Sequence, residues 1–188
     1  MYRYVRSRDE LLTMLVVDGY TELADAVDAA LSDAPDDSAT RLRVLAHAVR
    51  DWALAEPARY GLLFGTPVPG YDAPAQETVA PGTRVIAALL RIVETACRTG
   101  ELTDPGGDGG VSPELAADIA RICEEFGLQI PDWAMARSLT VWTALFGAVS
   151  FDVFDMYGAA TFTDRSQVFD IHLDNLVTIL GFRAAPAE

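Results

Sequence analysis

The stretch from Trp133 to Tyr157 most narrows what this chain can fold into. It follows Pro131-Asp132 and is apolar on more than one side of a helix. Met135, Leu139, Trp142, Phe146, Val149 and Val153 lie on or near one face, while Leu145, Phe151 and Phe154 lie elsewhere. A helix that is apolar nearly all round must be covered on both sides. The next segment, Arg165 to Leu180, adds Phe169, Leu173, Leu176 and Leu180 in helical register. Together the two helices need more partner surface than one small bundle offers. Self-association supplies it, most commonly as a two-fold dimer; a central place for both helices in a monomer is the other solution.

The rest of the chain is punctuated the same way. Ser7 followed by Glu10 fits a capping box. From Arg8 to about Leu31 a stripe of Leu12, Leu15, Val16, Gly19, Leu23, Val27 and Leu31 recurs at helical spacing. Asp33 to Asp37 breaks it. Asp37 or Ser38 caps a second helix with Leu42, Leu45, Val49 and Trp52 on one face. Pro57 opens a short helix to Phe64, stopped at Gly65. Thr66 to Pro81 reads as a long Pro/Gly loop, and such loops are often functional. Helices follow over about Thr83–Thr99, with Val85, Leu89, Ile92, Val93 and Ala96 inward, and from Ser112-Pro113-Glu114 to about Phe126. No period-2 strand and no internal repeat is visible. The expected fold is all-α, one domain of roughly eight helices.

Composition excludes more than it selects. No run of eighteen apolar residues is present, so no membrane span is expected, and no apolar leader opens the chain. The only cysteines, Cys97 and Cys123, fall inside helical patterns and read as reduced thiols of a cytoplasmic protein. Net charge is −14, with all fourteen positive charges from arginine. Nucleic-acid binding needs a positive surface, which only Arg3, Arg6 and Arg8, interleaved with Tyr2 and Tyr4, could offer.

No catalytic constellation has support in the sequence. His47 and His172 lie in different helices with no histidine or cysteine at ligand spacing, so no zinc site is suggested. No Glu-x-x-His pair exists for a di-iron bundle. Gly106-Gly107-Asp108-Gly109-Gly110 lacks the lysine and strand of a phosphate loop and reads as a linker. Asp33, Asp36 and Asp37 read as caps and solvated charge. An enzyme using Asp132 or Asp152 is the minor alternative. No cofactor and no metal are expected. Binding is better supported: Trp52, Tyr60, Phe64, Trp133, Trp142 and Phe146 are large aromatics on three helical segments. Most must fill the core, and one or two can line a cavity.

Three segments resemble the TetR family of bacterial transcriptional regulators. Met1-Tyr2-Arg3-Tyr4-Val5-Arg6-Ser7-Arg8-Asp9-Glu10-Leu11-Leu12 resembles the junction between the end of that family's recognition helix and its fourth helix. Leu54 to Gly65 resembles the Pro-Glu-Leu-Tyr-Arg-Leu-Met-Phe-Gly stretch of many of its regulatory domains. Val141 to Ser150 resembles a Trp-x-x-x-His-Gly stretch, with Phe146 in place of histidine. The resemblance implies a TetR-like C-terminal helical bundle that forms a homodimer through its last two long helices, for which Ser150, Phe154, His172 and Leu176 are interface candidates. It implies a cavity for a small apolar or aromatic effector that lowers DNA affinity, with the six aromatics as pocket candidates. It also implies phosphate contacts by Tyr2, Tyr4 and Arg8. Residues 1–7 then correspond to a remnant of the recognition helix and turn, 8–182 to the ligand-binding and dimerisation domain, and 183–188 to a tail. Operator DNA would be a partner only with the rest of the helix-turn-helix present, since such motifs read bases from the start of the recognition helix. The other reading is an all-α binding or dimerising protein that never touches DNA.

Overall fold

The computed structural model describes residues 7–104, 106 and 110–182. Among these, eight helices are joined by turns and no strand is formed. One isolated bridge, Leu102 to Phe182, ties the end of the fifth helix to the end of the last.

Helix α1 (Arg8–Ser32) begins where Ser7 accepts a hydrogen bond from the Glu10 amide at 3.1 Å. Its buried stripe contains Val16, Gly19, Leu23, Val27 and Leu31, whereas Leu15, expected on that stripe, is 39% exposed. Helix α2 (Ser38–Ala55) is capped by Asp37, which accepts from the Thr40 amide at 2.7 Å. Leu42, Leu45, Val49 and Trp52 are buried as their spacing requires. Pro57 occupies the first turn of α3 (Pro57–Phe64), where its missing N–H costs nothing.

The segment expected to be one long loop holds a further helix, α4 (Ala75–Gly82), with Pro81 inside it. Composition hid this helix. Proline near a helix end forfeits a bond that tertiary packing replaces, and α4 packs along α1. The preceding loop is fastened to α1 through the Tyr71 and Thr13 hydroxyls, 3.0 Å apart.

Helix α5 (Arg84–Thr99) buries Val85, Leu89, Ile92, Val93 and Ala96 and stops at Gly100, whose φ of 73° is the left-handed cap that glycine adopts freely. Helix α6 (Pro113–Phe126) is capped by Ser112 and buries only Ile119 fully.

Helix α7 (Asp132–Val153) ends before Tyr157. The chain leaves the helix through Asp155 at φ 53°, and Asp155 is paired with Arg165 across the turn. Its buried face is Ala134, Met135, Ser138, Val141, Leu145, Val149 and Asp152. The expected face is therefore rotated: Leu139 is 41% exposed, and Trp142 and Phe146 are half-buried. By length and composition α7 is apolar enough to cross a membrane, with mean hydropathy 1.2, which the lack of one unbroken apolar run had not suggested. Here it is the central helix of the body, packed on α8, α2 and α5. Helix α8 (Arg165–Leu180) is capped by Asp164 and buries Phe169, Leu173, Leu176 and Leu180.

Candidate functional site

A row of rings runs between three helices. Tyr60 on α3 is fully buried, and its hydroxyl lies 2.8 Å from Ser150 Oγ and donates to the Phe146 carbonyl at 3.2 Å. Burial raises the phenol above its ordinary pKa and the Ser150 hydrogen bond opposes the shift. One turn on, Phe64 lies 5.1 Å from the Tyr60 ring and 4.5 Å from Phe146 on α7. Phe146 is in turn 4.4 Å from Trp142. At the other end, Tyr20 on α1 meets Phe64 edge-on at 6.0 Å. The separations match those that aromatic pairs favour. The row therefore joins α1, α3 and α7 through ring contacts, with the Tyr60 hydroxyl adding hydrogen bonds between α3 and α7.

Helical spacing puts these groups on shared faces. Tyr60 and Phe64 are four apart, as are Trp142 and Phe146, and Ser150 continues the second series. Trp142, Phe146 and Phe64 stay half-buried and present apolar surface. Four of the six aromatic candidates thus converge. Trp52 and Trp133 make none of the ring contacts among the described residues. Trp52 is 9% exposed, and its buried indole N–H has no hydrogen-bond partner among the described residues. Trp133 is covered by the Arg137 guanidinium, 5.2 Å from its ring. Tyr20 was missed because nothing in the α1 pattern distinguishes it from a surface tyrosine.

Beside the row lies a buried ion pair with no motif to announce it. Arg50 Nε donates to Asp152 Oδ2 at 2.7 Å, and the guanidinium sits 5.0 Å above the Phe169 ring. The pair links α2, α7 and α8. Further out, His47 is 3.1 Å from Asp170 and Arg43 is 2.6 Å from Asp174. Charge on α8 is therefore turned toward α2.

Of the interface candidates, Phe154 and His172 are exposed, while Leu176 faces the subunit's own core and Ser150 is half-buried on Tyr60. The exposed residues between Leu139 and Phe154 carry no charge, and Ile171, Asn175 and Ile179 continue such a face on α8. Arg8 is exposed at the start of α1 and lies 3.9 Å from Asp9; Tyr2 and Tyr4 lie outside the described residues, as does the tail from 183. Among the described residues no group of three or more His, Cys, Asp and Glu converges as metal ligands do. The half-buried rings present apolar surface, and the row itself offers no acid, base or nucleophile beyond hydroxyls that bond to one another.

The chain is similar to known proteins over nearly its full length. A family model described as "Tetracyclin repressor-like, C-terminal domain" matches residues 42–176. HTH-type transcriptional regulators of Mycobacterium tuberculosis and Mycobacterium bovis are 42% identical over 185 residues, spanning 96% of this chain and 77% of theirs. A solved structure described as a regulatory protein superposes with a TM-score of 0.68 at 34% identity, covering 94% of this chain and 77% of its own. A Rhodococcus sp. RHA1 protein of unknown function shares the fold at a TM-score of 0.66 and 21% identity, over 94% of this chain and 75% of that one.

Proposed function

This chain belongs to the TetR family of transcriptional regulators, and from that premise we propose that its helical body is the effector-binding and dimerisation part of a ligand-responsive repressor. The observation that carries the reading is the ring row from Tyr20 to Trp142. An apolar or aromatic effector that stacks on Trp142, Phe146 and Phe64 changes the contact Phe64 makes with α1. Helix α1 leads back through Arg8 to Tyr2 and Tyr4, the end that meets DNA phosphates. When the effector binds one orientation of α1 more tightly than the other, operator affinity falls by the same coupling factor.

The regulator works as a homodimer in the cytoplasm. The uncharged outward faces of α7 and α8 support a two-fold interface. So does Gly147, an exposed mid-helix glycine whose added Cβ would meet nothing within 4 Å in its own subunit. Glycine at such a position costs about 1 kcal/mol against alanine, and close approach of a second helix gives that cost a purpose.

The test is selection of genomic DNA fragments by the protein as its gene encodes it, followed by a screen of apolar and aromatic compounds for release. A defined site, released by a compound that no longer acts on the Trp142→Ala variant, is the expected result. Selection that enriches no sequence overturns the repressor reading. Release that survives both Trp142→Ala and Phe146→Ala overturns the ring row as the effector site.

A further inference from the structure

A cleft of about 360 Å³ opens where the end of α1, the start of α2 and the face of α5 meet. Its volume falls in the range of roughly 300–1,000 Å³ that small-molecule sites occupy. Leu31, Ala88 and Ile92 give it an apolar floor, and Arg41 and Arg91 border it. A second cleft of about 270 Å³ shares Asp28, Ala88 and Arg91 with the first and runs on to Phe126. None of Tyr60, Phe64, Trp142 and Phe146 lines either one.

The charges decide what fits. The chain carries a net charge of −14, and most of its described arginines are held by carboxylates. Arg84, which lines the second cleft, takes up both Asp25 and Asp28, at 2.8 and 2.5 Å. That pairing uses the acid nearest the cleft. Glu101 is occupied with the Ser38 amide and hydroxyl, each at 3.0 Å. Among the described residues the Arg41 guanidinium makes one hydrogen bond, to the Ala34 carbonyl at 3.3 Å, and has no carboxylate within ion-pair distance. Arg91 is exposed and has neither a hydrogen bond nor an ion pair among the described residues. Two guanidiniums without acid partners thus flank one apolar floor.

We propose that this cleft is a second ligand site, taking a small organic carboxylate with a flat apolar body. The carboxylate lies between Arg41 and Arg91, whose planar forks suit its two oxygens. The body rests on Ala88, Ile92 and Leu31. Arginine in place of lysine fits this use, because guanidinium is more weakly hydrated and stacks on apolar rings. The site is independent of the effector site on the ring row. It bridges α1, α2 and α5 at the end of α1 remote from Arg8, so a bound anion braces that end of the helix.

Calorimetric titration of the whole chain with 2-naphthoate, with 2-naphthamide as the uncharged counterpart, tests this. One naphthoate should bind per subunit, about tenfold or more tighter than the amide, a difference of about 1.4 kcal/mol. Arg91→Gln and Arg41→Gln should each weaken it about tenfold, and Ala88→Phe should abolish it by filling the floor. Arg98→Gln, which removes a guanidinium of α5 that lies outside this cleft and has no carboxylate partner among the described residues, should leave it unchanged. Arg91 is exposed, so its glutamine variant keeps the test readable if Ala88→Phe fails to fold. Absence of naphthoate binding, equal affinity for the amide, or undiminished binding by the Arg41→Gln/Arg91→Gln double variant overturns the proposal.

Discussion

Arg50 and Asp152 carry the sharpest consequence at the scale of single residues. Both are nearly buried, with side-chain exposures of 10% and 5%, and each is the other's charge partner. Removing one leaves an uncompensated charge inside the bundle, which costs about 3–5 kcal/mol, whereas replacing both with apolar groups of similar size is close to neutral. Arg50→Met should therefore lower the urea unfolding free energy by that amount, and Arg50→Met with Asp152→Leu should recover most of it. Tyr60 gives a pH signature. Its raised phenol pKa means that folding favours the neutral form. That contribution is complete below about pH 10, the ordinary tyrosine value, and is lost as pH rises through the higher folded value. Tyr60→Phe should cost about 1 kcal/mol at neutral pH, the net worth of the hydrogen bond to Ser150, and should flatten the alkaline limb of the stability profile.

At the scale of elements, the helix ends are set locally, and the buried face of a helix that is apolar all round is not. Asp37 shows the first point. It accepts from the Thr40 amide, and its carboxyl is held below the usual value first by hydrogen bonding to the Thr40 side chain and further by the Thr40 and Ala39 amides. The cap's stabilisation is present above about pH 4, the ordinary aspartate value, and is lost as pH falls through the lower folded value. Asp37→Ala should cost about 1 kcal/mol, and Asp37→Asn should retain the cap without its acid dependence, both measured by thermal unfolding between pH 3 and pH 7. Helix α7 shows the second point. Its pattern declared that it is apolar, but with apolar residues all round no periodicity could say which side faces the core. The structure turns Val141, Leu145 and Val149 inward and leaves Trp142 and Phe146 between core and surface. Helix α4 shows a third: its prolines argued for a loop, and packing along α1 won over propensity.

At the scale of the whole molecule, the proposed dimer concentrates on the face of α7 that carries Gly147 and Phe151. Phe151→Glu places a charge on that uncharged face, and Gly147→Leu adds bulk where two helices would approach most closely. Both variants should sediment as monomers with unchanged helical circular dichroism, since Phe151 is 40% exposed and the Gly147 Cβ position is open within the subunit. Gly147→Leu should even raise the thermal stability of the lone subunit, because leucine is the better helix former. Persistence of the dimer in both variants would rule out this face as the interface.

By itself the sequence determined the all-helical class, most helix limits, the caps at Ser7 and Ser112, and the buried stripes of α2, α5 and α8. These follow from short-range rules, namely capping chemistry and a period near 3.6, and the sequence carries both explicitly. It also carried the family, through the segments around Tyr60 and Trp142. Only the tertiary structure decided which aromatics meet, that Tyr20 joins them, and that Arg50 finds Asp152 at a separation of 102 residues. It also decided that Arg41 and Arg91 flank a common cleft while Arg84 is neutralised. Those facts depend on how helices cross and rotate against one another. A repeat along one helix fixes which residues share a face, but the packing of neighbouring helices fixes where that face points.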